Sequence, residues 1–205
     1  MPPHRWTARA CPKYSSFMTD RQHAAYPDSH WTMLETDIGQ CGLAWSPAGL
    51  TRVQLPESNS VATELRLHRY APTRWDGPLP GHVEACASML LRYCSGERED
   101  FNGVALDMTG LSSFDAQIYQ LLRDVSWGTT ITYGTLAERA GAPGTARAVG
   151  AAMSTNHWPI IVPCHRVLPA TGQVGGFSAY GGAETKHALL ELEGVRLREP
   201  SLWDQ

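Results

Sequence analysis

The sequence predicts an α/β protein in two parts, a small antiparallel sheet with helices followed by a helical domain, and three observations carry that reading. Short β-like runs, WTMLET, CGLAWS and LTRVQL, follow one another between Trp31 and Leu55 with a turn at Pro47-Ala48-Gly49, the spacing of a hairpin or meander. Gly110-Leu111-Ser112-Ser113 then has the turn chemistry of a domain boundary. Beyond it, apolar residues recur at helical spacing for most of the remaining chain.

Residues 1 to about 30 show neither periodicity and are expected to form a poorly ordered extension. Residues 31–112 form the first domain. Within it, Ser60 opens a helix through His68 with Val61, Leu65 and Leu67 on one side, ended by Pro72 at the latest. A second helix is predicted from about Leu79 to Tyr93, where Val83, Cys86, Met89, Leu90 and Tyr93 recur at steps of three and four, and Asn102 to Leu106 reads as another strand.

Residues 113–197 form the second domain and 198–205 a tail. Ser113 is placed as the cap of a helix from Phe114 to Val125, whose inner face is Phe114, Ile118, Leu121, Leu122 and Val125. Trp127-Gly128 breaks it, and Thr130-Ile131-Thr132 is a short extended link. Two short helices follow: Tyr133 to Arg139, then, after Ala140-Gly141-Ala142-Pro143-Gly144, a helix capped by Thr145 that runs to about Thr155. That outline is a helix-turn-helix, although many helical pairs that never touch DNA share it. Trp158 to Val162 reads as an extended apolar run delivering Cys164, a Gly-rich loop spans Gly172 to Gly182, and Glu184 to Glu193 forms a last amphipathic helix through His187, Leu189, Leu190 and Leu192.

Composition bounds the function. A charged fraction of 18% argues against bulk disorder, and a net charge of -3 gives no global signal for nucleic acid. After Ser113 there are 7 basic and 8 acidic residues, so any nucleic-acid contact must be local. Cys11, Cys41, Cys86, Cys94 and Cys164 are odd in number and irregularly spaced, which suits reduced thiols rather than a disulfide framework. No apolar run reaches the length of a membrane span, and the polar start lacks the apolar segment of a secretory signal. A soluble, intracellular protein is expected, cytoplasmic or, in a eukaryote, nuclear, with no membrane partner.

Chemistry concentrates at Pro163-Cys164-His165-Arg166-Val167. A thiol attacks only as its thiolate, so a nearby imidazole, cation or helix terminus must lower its pKa or take its proton. His165 is adjacent in sequence, which does not by itself bring its ring to the sulfur. The set ARAVGAAM, Asn156 eight residues before the cysteine, PIIVPCHRV, a Gly-rich loop containing GG-F-S, and LLELEG resembles the O6-alkylguanine-DNA alkyltransferases over about Phe114 to Gly194. Residues 31–112 resemble that family only weakly.

The resemblance implies an RNase H-like N-terminal sheet domain, a winged-helix-like C-terminal domain with a helix-turn-helix, no cofactor, and action as a monomer on double-stranded DNA containing O6-alkylguanine. It implies irreversible, once-only transfer of the alkyl group to Cys164. By the same resemblance His165 takes the cysteine proton through a water and Glu193 orients His165. Asn156 bonds to backbone near the cysteine, tying its loop to the preceding helix, and Pro159 and Pro163 stiffen that loop. Arg147 fills the gap left by the flipped base, and Tyr133 presses on the adjacent phosphate and donates a proton to the leaving guanine. Thr145 caps the helix at its phosphate-binding end, while Ala148, Gly150, Ala151 and Ala152 allow close approach to the minor groove. Few cationic contacts imply modest affinity with a shallow salt slope.

This chain also departs from the family pattern. FSAYGGAETK, from Phe177 to Lys186, is about two residues longer than the usual loop, and Phe177 stands where many members have tyrosine. Val174, Phe177 and Ser178 remain the expected base pocket, and the longer loop is expected to admit bulkier alkyl groups or other alkylated bases such as O4-alkylthymine. Ser154 replaces a basic residue seen in some relatives. Some relatives carry structural zinc; Cys11, His23, His30 and Cys41 supply suitable atoms, but no Cys-x-x-Cys pair is present and no metal is expected. Two rival readings are a non-catalytic sensor of alkylated bases that recruits other repair factors, disfavoured because Cys164 is present, and a cysteine hydrolase that would turn over.

Overall fold

The computed structural model describes residues 28–196. All but the last three positions of the expected N-terminal extension lie outside the described residues, as do the tail and the zinc candidates Cys11 and His23. His30 already opens the first strand, one residue earlier than the sequence suggested.

β-branched and aromatic residues between tight turns make three antiparallel strands: β1 (His30–Thr36), β2 (Gly39–Ser46) and β3 (Gly49–Gln54). Gly49 starts β3 at φ +146°, and a Cβ there would meet the Ala105 carbonyl oxygen at 2.8 Å, so only glycine suits that turn. β3 is buried at every position and β2 from Cys41 onward, which explains the near-continuous apolar runs. A two-residue strand, β4 (Thr73–Arg74), adds to β1 in parallel, giving the order β3-β2-β1-β4. Two residues between prolines carry no strand periodicity, and the sheet is therefore mixed at one edge rather than purely antiparallel.

Helix α1 (Ser60–His68) starts at Asn59, whose side chain accepts from the Ala62 N–H. It packs on β2 through Thr63 and Leu67; Val61 and Leu65, expected on the inner face, are 63% and 59% exposed. Trp31, Ala44, Leu67 and Ala71 form one core cluster. Helix α2 (Gly81–Cys94) begins after Pro80, two residues later than expected, and buries Val83, Cys86, Ala87, Leu90, Tyr93 and Cys94. The expected strand at 102–106 does not form. Asn102-Gly103 is a turn, and only Leu106 bridges to Leu50, with Asp107 accepting from Ser46 Oγ at 2.5 Å. His30 and Cys41, the remaining zinc candidates, have other partners: His30 stacks with Trp45 and meets the Trp75 edge, and Cys41 lies 3.6 Å from Thr36 Oγ1.

Contacts divide the chain into two compact units, one reaching Gly110 and including Ala179–Gly181, the other comprising Leu111–Ser178 and the chain from Gly182. The second unit opens with α3 (Ser113–Arg123). Its cap is Ser112, not Ser113: the Ser112 hydroxyl accepts from the Asp115 N–H at 3.0 Å. α3 ends before Val125 and buries Ile118, Tyr119 and Leu122. The short link after it becomes β5 (Ile131–Thr132), which pairs in parallel with β6 (Val167–Leu168), beyond the cysteine. Helix α4 (Tyr133–Arg139), a tight turn with Gly141 and Gly144 at positive φ, and α5 (Ala146–Ser154) make the helix-turn-helix outline, and α6 (Ala183–Leu192) closes the unit. α3, α4 and α5 pack on one another.

Candidate active site

Cys164 is delivered by a turn, not by the extended run expected. The Val162 N–H returns to the Trp158 carbonyl at 2.7 Å, and Ile160 takes φ +75°, an unusual conformation for a β-branched residue. Burial of Trp158, Ile160, Ile161 and Val162 holds this turn in place. Local apolar composition cannot distinguish such a turn from a strand, because both bury the same side chains. Cys164, His165 and Arg166 then form one 3-10 turn, followed by β6.

Asn156 organises the turn from two residues ahead of it. Its Oδ1 accepts from the Trp158 N–H at 2.9 Å, and its Nδ2 donates to the Val162 carbonyl at 2.8 Å and to Cys164 Sγ at 3.1 Å. The same amide thus bonds both to backbone near the cysteine and to the sulfur itself. Pro159 lies within the same turn and Pro163 directly follows it.

Glu193 stands just past the last turn of α6, as its C-cap, and is 4% exposed. Its carboxylate accepts from four groups: His165 Nε2 at 2.7 Å, Arg166 Nε and Nη2 both at 2.8 Å, and the Gly128 N–H at 3.2 Å. Arg166 also donates to the Val125 carbonyl. Gly128 takes φ +71°, and a Cβ there would lie 3.0 Å from the Glu193 carbonyl oxygen. Arg166 and Gly128 were not singled out for this role. The arginine sits inside the PCHRV motif, where that clue was available, but nothing in sequence reveals that Gly128 meets a residue 65 positions away.

Protonation follows from these contacts. Burial alone would raise Glu193, but the hydrogen bonds and charges of His165 and Arg166 hold its pKa at about 2. It is a carboxylate at neutral pH and can only accept. Burial lowers the His165 pKa further than Glu193 raises it, and the cations Arg166 and Lys186 add to the lowering. The imidazole is therefore neutral, with its proton on Nε2 toward Glu193 and its basic lone pair on Nδ1. Burial pushes the Cys164 thiol up; the Asn156 hydrogen bond, the Lys186 charge and nearby backbone N–H groups offset part of that. The resting pair is thus neutral thiol and neutral imidazole.

Lys186 adds a buried cation whose charge acts on Cys164. It is 1% exposed, donates from Nζ to the Val167 carbonyl at 2.6 Å, and lies 5.8 Å from the Tyr133 ring centroid. Tyr133 is half-buried at the start of α4, and burial together with Cys164 raises its phenol pKa, keeping it a proton donor.

The outer face of α5 carries Arg147, Ala148 and Ala151, all exposed, and half-buried Gly150, where a Cβ would meet nothing within 4 Å. Ala152, expected on the same face, is 2% exposed and packs inward. Thr145 occupies the N-cap position, but its hydroxyl donates to the Ala142 carbonyl at 2.6 Å instead of receiving a helix N–H. That leaves the first N–H groups of α5 without a side-chain cap from Thr145. Val174 and Phe177 are half-buried and Ser178 exposed in the loop before α6; none of the hydrogen bonds described around Cys164 involves them.

The second unit carries a helix-turn-helix outline ahead of a buried cysteine, and the family match over it defines a class of DNA-binding protein. The family profile described as "6-O-methylguanine DNA methyltransferase, DNA binding domain" matches residues 113–195. Curated relatives named methylated-DNA–protein-cysteine methyltransferase include that of Mycobacterium tuberculosis, 37% identical over 82% of this chain and 93% of the relative. Another, from Methanothermobacter thermautotrophicus, is 30% identical over 76% of this chain and 80% of the relative. The crystal structure of the Mycobacterium tuberculosis O6-methylguanine methyltransferase matches with a TM-score of 0.65 at 36% identity, over 86% of this chain and 99% of that one. That of Mycobacterium tuberculosis OGT in complex with DNA matches with a TM-score of 0.64 at 37% identity, over 80% of this chain and 92% of that one. The chain belongs to the methylated-DNA–protein-cysteine methyltransferase family. Among the described residues, no helix is long and apolar enough to cross a membrane.

Proposed function

We propose that this chain repairs DNA by direct reversal, acting as a monomer on a duplex containing O6-alkylguanine and transferring the alkyl group once to Cys164. The observation that carries the reading is the buried array in which Asn156 holds the cysteine sulfur and the Arg166-bound Glu193 carboxylate holds His165. His165 Nδ1 takes the thiol proton through a water. The sulfur forms a bond to the alkyl carbon as the carbon–O6 bond breaks. That electron pair leaves on guanine, which receives a proton from Tyr133. Asn156 and Lys186 favour the thiolate as it develops, a stabilisation that grows in the transition state. The thioether product has no leaving group that water can displace at neutral pH, so each molecule acts once.

O6 of a stacked guanine is out of reach of a cysteine 3% exposed on a folded protein, so the nucleotide must leave the helix. In this reading Arg147, exposed on the open face of α5, fills the gap, and the small residues Ala148, Gly150 and Ala151 allow a groove wall to approach. The Thr145 end of α5 and Tyr133 face phosphate in this reading, and Val174, Phe177 and Ser178 line the base pocket.

The test is the intact mass of the purified protein after mixing with duplex DNA containing one O6-methylguanine, with Cys164→Ala as control. A gain of one methyl per molecule, mapped to Cys164, supports transfer. Lesion-selective binding without mass gain means a sensor, and repeated turnover of an activated ester means a hydrolase. In the same assay, strong rejection of O6-benzylguanine relative to O6-methylguanine would sink the idea that the longer loop after Phe177 admits bulkier groups.

A further inference from the structure

Tyr119 belongs to no motif in the sequence, yet its side chain touches two elements that the proposed reaction must keep in register. It lies in α3 and is 0% exposed. Its hydroxyl donates to the Ala152 carbonyl at 2.7 Å, in the last turn of α5, and lies 3.4 Å from Thr155 Oγ1. Its ring meets Trp158 nearly edge to face, with centroids 6.0 Å apart and planes at 79°. Trp158 is itself 0% exposed and begins the turn that delivers Cys164. One side chain therefore grips the end of the helix whose outer face carries Arg147, Ala148 and Ala151, and also the entrance to the cysteine turn.

Satisfying the carbonyl does not require this bond. Ala152 O also accepts from the Thr155 N–H at 3.2 Å and from Thr155 Oγ1 at 3.1 Å. The third donor adds direction: it joins α5 to α3 at a point four residues before Asn156, whose amide holds Cys164.

We propose that Tyr119 is a positioning residue for transfer from DNA, holding the outer face of α5 and Cys164 in one register so that an alkyl group on a base extruded at α5 arrives at the sulfur. The inference rests on the function proposed above. A free base reaches the cysteine without docking on α5 and is indifferent to that register, whereas a base delivered by the helix is not, because small displacements of reacting atoms are costly in rate.

The experiment compares Tyr119→Phe with the wild-type chain in three assays: single-turnover methyl transfer from an O6-methylguanine duplex, the second-order rate with free O6-benzylguanine, and the dissociation constant for unmodified duplex. Loss of one neutral hydrogen bond should slow the duplex reaction about five- to tenfold while the other two change less than about twofold. Trp158→Phe, which weakens the ring contact and leaves the hydroxyl bond, should show the same split to a smaller extent. An unchanged duplex rate in Tyr119→Phe, or equal losses with duplex and free base, overturns the inference, since a purely structural role would slow both alike. A wild-type chain that takes no methyl from DNA overturns the proposed function itself, and this inference with it.

Discussion

Arg74 pairs with Glu64 and Asp76 in the first unit with its side chain 51% exposed, whereas in the second unit Glu193 pairs with His165 and Arg166 at side-chain exposures of 0%, 0% and 6%. The first arrangement is worth little, because solvent screens both partners. The second carries a large desolvation cost that its Coulomb energy need not recover. The first unit also buries an arginine, but Arg52 lies 3.6 Å over the Tyr70 ring and donates to Gln54, and burial draws its pKa down to about 10. Where the second unit buries an arginine, it gives it a bidentate carboxylate that also fixes a histidine tautomer beside a cysteine. Apolar residues would fill that volume at lower cost, so the charges there point to chemistry rather than to stability.

The contrast is broken most severely by Glu193→Gln. Removing one partner leaves Arg166 buried without its carboxylate and should destabilise the second unit by about 3–5 kcal/mol, measured by urea denaturation. Under the proposed function it also loses the tautomer lock on His165, and methyl transfer should fall by about 100-fold or more, within the range of a lost general base. Removing Glu64 at the surface should cost less than about 1 kcal/mol.

Acid should separate the units next. Glu193 has a folded pKa of about 2 against 4.5, so its contribution is present above pH 4.5 and is lost as pH falls toward 2. His165 is also depressed, so the unfolded chain takes up its proton first and stability already declines as pH falls below about 6.5. Both signs agree, and the protection of amides in α6 and the 164–168 segment, relative to their intrinsic exchange rates, should fall in acid before that of β1–β3. Simultaneous opening of both units would count against the comparison.

Arg147→Ala tests the outer face of α5 against the buried array. The side chain is exposed, so stability should change by less than about 0.5 kcal/mol. Transfer from duplex DNA should fall about tenfold, whereas the rate with free O6-benzylguanine stays near wild type, since only the duplex reaction needs a filled gap in the stack. The smallest effects belong to the helix caps. Asn59→Ala in the first unit and Ser112→Ala in the second should each cost about 1 kcal/mol by denaturation, with no change in transfer rate.

Several elements were legible because their signals are local. The Ser60–His68 and Tyr133–Arg139 bounds agree with those read from sequence, since cap chemistry and Gly or Pro stops act within a few residues. The strand runs were visible for the same reason. β4 and the β5–β6 pair were not, because two-residue strands have no period and exist only through partners distant in sequence. The turn at 158–162 was mistaken for a strand because apolar composition reports burial, not φ, and Ile160 at +75° is the kind of exception that only surrounding packing enforces.

For this protein the sequence alone determined the family resemblance, the cysteine proposed as nucleophile and the helix-turn-helix outline, because residue order and spacing carry that information directly. Tertiary structure decided which groups share the carboxylate of Glu193, which nitrogen of His165 bears the proton, why Lys186 is buried, and that Tyr119 reaches both α5 and Trp158. Those are long-range contacts, at separations of 19 to 65 residues for the bonds to Glu193 and from Lys186. Their energies depend on burial and geometry that no local pattern of residues encodes.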